Sequence, residues 1–166
     1  MYLTGGQYKG HKIEVPKDVK PTLSKTRESV FNILLQYDLT DNKFLNMFSG
    51  SGIMGLEAIS RGYKVKELEI SPKVAQIIKN NYKKIKLIPD ITICNSLNFQ
   101  TNEKYDIIYA DPPWDMDYKP IITKASELLA ENGVIILEYD KTKNIDIQNI
   151  LDELNIDIKL IKTKNK

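Results

Sequence analysis

The sequence is sparing in the residues that carry most redox, metal and export chemistry: it has one cysteine (Cys94), one histidine (His11) and one tryptophan (Trp114). A single thiol excludes an intrachain disulfide and suits a reducing cytoplasm, with Cys94 as a core residue. His11 reads as a solvated surface residue, and no metal site is expected. No stretch approaches the ~20 apolar residues of a membrane span. The first residues, with Gly5, Gly6 and Lys9, lack a signal-peptide core. A cytoplasmic protein with no membrane partner, and a monomer, is the expectation. Charge of one sign is scarce too: 24 basic and 22 acidic residues leave +2, so the whole-molecule field says little about a nucleic-acid partner. There is no internal repeat and no low-complexity segment.

What is present is 166 residues, 42% of them hydrophobic, enough for one well-buried core. One domain over 1–166 is expected, with 1–22 as an N-terminal arm and 43–161 as its main body. The opening segment is locally basic, with Lys9, Lys12, Lys17, Lys20, Lys25 and Arg27 against Glu14, Asp18 and Glu28. Its glycines, the alternation Lys12-Ile13-Glu14-Val15, and Pro16 and Pro21 predict a short hairpin or extended arm outside the continuous core.

Val30, Phe31, Leu34 and Leu35 share one helical face, predicting a helix from Ser24 to Tyr37 capped by Ser24 or Thr22. From Lys43 onward short apolar runs alternate with helical patterns. Strands are predicted at Phe44–Phe48, Val65–Ile70, Ile91–Cys94, Asp106–Ala110, Val134–Tyr139 and Ile156–Ile161. Helices are predicted at Gly52–Ser60, after the Ser71-Pro72 cap, at Ile121–Leu129 and at Ile147–Leu154. Such alternation predicts an α/β fold, a doubly wound and mostly parallel Rossmann-like sheet covered on both faces, with the small arm in front of it.

Two stretches carry chemistry. Gly50-Ser-Gly52-Ile-Met-Gly55 fits G-x-G-x-x-G where that pattern has meaning, directly after a strand and opening a helix: one glycine for the turn, one for close ligand approach, one for helix–strand packing. Glu69 ends the second strand, where a carboxylate can accept from both hydroxyls of a ribose; Glu67 before it reads as a solvated strand residue. A dinucleotide and an adenosyl sulfonium both suit this crevice. The second stretch is Asp111-Pro112-Pro113-Trp114, after the fourth strand. An exocyclic amine on a nucleobase is a poor nucleophile because its lone pair is delocalised. The Asp111 carboxylate and the Pro112 carbonyl can each accept one of its N–H groups and aim the lone pair at an incoming methyl. The prolines stiffen the loop, and Trp114 offers a flat face for a base. In a doubly wound sheet both loops meet at the carboxyl edge.

These residues together resemble the bacterial 16S rRNA guanine-N2 methyltransferases. The likeness runs through Gly5-Gly6-Gln7-x-x-Gly10-x-Lys12, Val15-Pro16, Pro21-Thr22, Arg27-Glu28-x-x-Phe31-Asn32-x-Leu34, Phe48-Ser-Gly-Ser-Gly52-x-x-Gly55-Leu56-Glu57-Ala58-x-Ser60-Arg61-Gly62, Glu69 and Asp111-Pro112-Pro113. The arm and Arg-Glu-x-x-Phe-Asn are its most diagnostic parts. The resemblance implies S-adenosylmethionine as methyl donor, held by Gly50, Gly52 and Gly55 with Asn46 and Phe48, by Glu69 and Ile70 at the ribose, and by Asn95 and Ser96 beside the adenine. It implies Asp111, Pro112 and Trp114 around the target guanine, and Lys20, Thr22 and Arg27 against 16S rRNA of the small ribosomal subunit. Departures are Asn46 where an aspartate is usual, Ser71 for a common acidic residue, Lys20 for an arginine and Trp114 for Phe or Tyr. The chain ends soon after the sixth strand, where relatives usually add a seventh, antiparallel one; either the fold is trimmed or the sequence is incomplete, and an exposed sheet edge is the expectation. Alternatives are DNA adenine-N6 methylation by the same loop chemistry, and a non-catalytic RNA-binding protein.

Overall fold

The computed structural model describes residues 1–155 and 159–165. Behind the arm follow α1 (Ser24–Leu34), β1 (Lys43–Asn46), α2 (Ile53–Ser60), β2 (Lys64–Glu69), α3 (Pro72–Lys84), β3 (Asp90–Ile93), β4 (Tyr105–Ala110), α4 (Tyr118–Leu128), β5 (Leu129–Asp140), α5 (Asn144–Leu154) and β6 (Lys159–Asn165). The strands form one sheet in the order β3-β2-β1-β4-β5-β6, and all five pairings are parallel. The expected doubly wound fold is therefore present, with no antiparallel strand among the described residues. Of the strand expected at Ile156–Ile161, positions 156–158 lie outside the described residues.

Strand alternation sends side chains to two separate cores. Phe44, Ile107, Tyr109, Val134 and Ile136 pack under α1, α2 and α3 with Val30, Phe31, Met54, Ile78 and Tyr82. Leu45, Met47, Leu68, Ile108, Ile135 and Leu137 pack against Ile121, Ile122 and Ala125 of α4 and Ile147 of α5. Ser71 caps α3 as the sequence predicts, its Oγ accepting from Val74 N at 3.3 Å with Pro72 at the first helical position. The predicted cap of α1 is absent. Leu23 occupies the cap position without a side-chain bond, and Ser24 Oγ accepts from Arg27 Nη2 at 2.8 Å instead. Among the described residues no helix is long and apolar enough to cross a membrane.

The arm departs most from expectation. It closes on itself through the Tyr2–Lys12 bridge and the bonds Leu3 N→His11 O (3.0 Å) and Ile13 N→Met1 O (2.8 Å). It also joins the core that the sequence left it outside: Leu3 and Ile13 are buried with the α1–α3 residues. Two buried polar side chains explain why. Glu57 of α2 accepts from Thr4 N (2.9 Å), Thr4 Oγ1 (3.0 Å), Arg27 Nη1 (2.7 Å) and Arg61 Nη1. Asn81 of α3 accepts from Glu14 N (2.9 Å) and donates to Glu14 O (2.8 Å). Ser60 adds a third anchor, with its backbone carbonyl accepting from Gln7 N and its hydroxyl accepting from Tyr8 N. Gly6 has φ 73°, and a Cβ there would lie 1.9 Å from Ser60 O, so only glycine fits.

Glu57 sits at the centre of this clamp with no exposed surface. Glu57→Ala strands a buried guanidinium on Arg27 and should cost about 3–5 kcal/mol in urea unfolding. Lys119→Ala, which removes an exposed pair with Glu153, should cost under about 1 kcal/mol in the same assay.

Candidate active site

The sheet order turns around at β1: β2 lies on one side and β4 on the other. Chains leaving the carboxyl ends of β1 and β4 diverge and leave a crevice between them. The glycine loop leaves β1 and Asp111-Pro112-Pro113-Trp114 leaves β4, so the fold brings the two predicted stretches together at one edge. Asn46 and Tyr109 are register partners, and Met47 N donates to Tyr109 O at 2.9 Å.

In the loop, Gly50 (φ 53°) and Gly52 (φ 76°) occupy left-handed backbone that a side chain would strain. Gly55 is needed for space: a Cβ there would lie 1.6 Å from Glu67 Oε1. Glu67 is accordingly not the solvated residue the sequence suggests. It is fully buried, accepting from Asn46 Nδ2 (2.9 Å), Ser49 Oγ (2.5 Å) and Tyr82 Oη (2.8 Å). Burial pushes its acid up to about 7, against the opposing pull of those three donors. Glu67 thus ties β1, the loop and α3 together from below.

Glu69 accepts from Gly50 N and Ser71 N, each at 2.9 Å, which aligns its carboxylate with the loop. Each oxygen keeps acceptor capacity for a further hydroxyl. Cys94 N bonds Glu69 O at 3.0 Å, so Asn95 and Ser96 follow directly beside Glu69. Asn95 Oδ1 accepts from Leu97 N, and Ser96 is buried. Ile70 is exposed and Phe48 half-buried at the same edge. Asn46 is buried, and its Oδ1 has no hydrogen-bond partner. A buried acceptor left open at a glycine loop fits a ligand that brings a donor, as the amino-acid end of an adenosyl sulfonium does. The residues present therefore fit the cofactor that the resemblance implies.

Across the crevice Pro112 is buried, while Trp114 is 83% exposed and so open to stacking. The Asp111 acid is pushed up to about 7 by burial first and by the charge of Glu138 second, with Lys20 pulling the other way. The end of the arm crosses this edge. Val19 would meet a Cβ on Gly50 at 3.1 Å, Lys20 lies in the field of Asp111, and Thr22 Oγ1 is 3.5 Å from Tyr109 Oη. Lys20 and Thr22 thus lie beside Asp111 and Tyr109. Arg27 does not. It is fully buried, its guanidinium bonded to Glu57, Tyr2 O and Ser24, so the expected contact with RNA gives way to a structural role. The sequence also gave no sign of Glu138 and Tyr109, which lie beside Asp111 and read locally as plain strand residues.

The chain is similar to known proteins over most of its length. The family described as Conserved hypothetical protein 95 matches residues 1–157. The Ribosomal RNA small subunit methyltransferase D of Buchnera aphidicola is 32% identical, with 87% of this chain and 81% of that protein covered. Its namesake from Haemophilus influenzae is 30% identical, over 85% and 79%. The solved structure of the putative methyltransferase yhhF from Escherichia coli superposes with a TM-score of 0.64 at 29% identity, covering 80% of this chain and 73% of that one.

Two measurements test the loop. Gly55→Ala should cost about 1–3 kcal/mol on thermal unfolding because the Glu67 carboxylate must move. Glu67 holds its proton more tightly folded than unfolded, so it makes stability fall as pH rises from 4.5 to about 7. Glu67→Gln should flatten that part of the stability–pH curve.

Proposed function

The chain belongs to the Conserved hypothetical protein 95 family, and from that premise we propose that it is an rRNA methyltransferase that methylates the exocyclic N2 of a guanine in 16S rRNA of the small ribosomal subunit, with S-adenosylmethionine as donor. The observation that carries this is the meeting of the Gly50–Gly55 loop and Asp111-Pro112-Pro113-Trp114 across one crevice, with the arm at its rim. Relatives named for methylating the small-subunit RNA support the substrate class. The reaction would take place in the cytoplasm, where small subunits are found.

Bound S-adenosylmethionine supplies an electrophilic methyl on a sulfonium. In this reading Gly50, Gly52 and Gly55 leave room for the cofactor and Phe48 adds an apolar wall. Glu69 takes its ribose hydroxyls, Ile70 with Asn95 and Ser96 flanks its adenine, and Asn46 accepts from its amino group. Trp114 stacks on the target base, which should contribute about 1–3 kcal/mol. Asp111 and the Pro112 carbonyl accept the two N–H groups of the amine and turn its lone pair toward the methyl. As the new N–C bond forms, the nitrogen becomes acidic. Asp111, an acid of about 7, takes the proton without any stronger base. Lys20 and Thr22 meet the RNA beside the pocket, and Lys20 is the one of the two that can neutralise phosphate.

Labelled S-adenosylmethionine incubated with small subunits lacking the modification should give label in the RNA. Asp111→Asn should lower that transfer by about 100-fold or more, a barrier of the size that a lost acceptor imposes, while leaving cofactor affinity within about twofold. Transfer should also decline below pH 7, as protonation removes the acceptor. Cofactor binding without any transfer to RNA would count against the assignment.

A further inference from the structure

Beside Asp111 stands a second carboxylate that the mechanism above does not use. Glu138, near the carboxyl end of β5, is 2% exposed. The register that pairs Tyr109 with Ile136 and Ala110 with Leu137 puts Glu138 next in line alongside Asp111. Tyr109, two residues before Asp111 and buried, donates its hydroxyl to Glu138 Oε1. The same hydroxyl lies 3.5 Å from Thr22 Oγ1 of the arm. One short chain of polar atoms therefore links β5, β4 and the arm underneath the Asp-Pro-Pro loop.

A purely structural account of Glu138 is weak. Leu137 and Tyr139 on either side point to the opposite face and pack in the α4–α5 core, while Ile136, on the face that Glu138 shares, is apolar and buried. Putting an anion there costs desolvation, and putting it next to Asp111 adds like-charge repulsion. Paired carboxylates in that relation recur where one of them has to hold or receive a proton. Among the described residues, the charged and titratable groups acting on Asp111 include Glu138 from β5, Tyr109 from β4 and Lys20 from the arm. Lys20 is exposed, where RNA phosphate would compete for it, whereas Glu138 is buried and fixed by its bond to Tyr109.

We propose that Glu138 is a positioning residue that acts through Asp111 and Tyr109: it holds Asp111 as the proton acceptor for the target amine, and through Tyr109 it registers Thr22 over the pocket. This rests on the reading of Asp111 as the group that faces the amine. No bond is made or broken at Glu138. Burial alone raises the Asp111 acid part of the way; the adjacent charge of Glu138 raises it further and makes it a better receiver of the released proton.

The test compares wild type with Glu138→Gln, which keeps the shape and removes the charge; Glu138→Asp, which keeps the charge, serves as the conservative rescue. Carboxyl-13C NMR of aspartate-labelled protein, with the Asp111 signal assigned from Asp111→Asn, gives the Asp111 titration midpoint without any need for turnover. Wild type should titrate near 7, and Glu138→Gln should move the midpoint down by on the order of one pH unit. In parallel, the acid limb of kcat should shift the same way and kcat at neutral pH should fall about tenfold, with KM for S-adenosylmethionine unchanged and activity largely restored in Glu138→Asp. A midpoint that stays put in Glu138→Gln overturns the proposal, whatever the rate does. A midpoint that moves in a wild-type background incapable of methyl transfer upholds the coupling and instead sinks the functional reading of the site.

Discussion

The pairing of β1 with β4 is the constraint on which the rest depends. It joins the strand that feeds the glycine loop to the strand that feeds Asp-Pro-Pro-Trp, with Asn46 opposite Tyr109 in register. Because the chain winds toward β2 and β3 on one side and toward β4, β5 and β6 on the other, the two loops separate only at this point. A slip of one residue would turn Phe44 and Ile107 out of one core and Leu45 and Ile108 out of the other, so the register of the site is secured by the burial of both faces. The candidate active site inherits its geometry from the sheet. Neither loop has to fold as an independent unit.

Three buried carboxylates then attach other elements to that edge. Glu57 draws Arg27 of α1, Arg61 just past the end of α2 and Thr4 of the arm to one point. Glu67 fastens Asn46, Ser49 and Tyr82 beneath the glycine loop. Glu138 receives the hydroxyl of Tyr109 beneath the Asp111 loop. Each would be costly to bury alone; Glu57 and Glu67 gather donors from separate elements and Glu138 takes one from the neighbouring strand, which converts a desolvation penalty into a demand for one arrangement. The arm, short of apolar residues, is held in place mainly by Glu57, Ser60 and Asn81, and its end is thereby carried past Gly50 to Asp111.

How much of this could be seen in the sequence follows from the range of the interactions. Strand and helix alternation, the Ser71-Pro72 cap and the glycine loop are local patterns, and each appears in the structure within a few residues of its predicted place. The convergence of the two loops was legible as well, because sheet order in this class of fold follows from connection rules and needs no long-range contact to be known. What could not be read were pairings between distant positions. Arg27 looks like an RNA-binding charge in a basic segment, and only its partner 30 residues away shows it to be internal. Glu67 follows half-buried Lys66, with exposed Lys64 two residues before that, and nothing in that neighbourhood reveals Gly55 packed on its carboxylate. Glu138 and Tyr109 were hidden for the same reason: their meaning lies in the β4–β5 register. The arm was placed outside the core because Leu3 and Ile13 are isolated apolar residues whose burial depends on Glu57 and Asn81.

The account stands or falls on which atom receives the methyl group. Small subunits modified by the wild-type protein should be digested to nucleosides and resolved by chromatography with mass detection. Recovery of N2-methylguanosine from 16S rRNA, in proportion to the label transferred, is the result expected of a crevice that holds a guanine amine between Asp111, Pro112 and Trp114. Recovery of N6-methyladenine, or of methylated DNA in place of RNA, would contradict it.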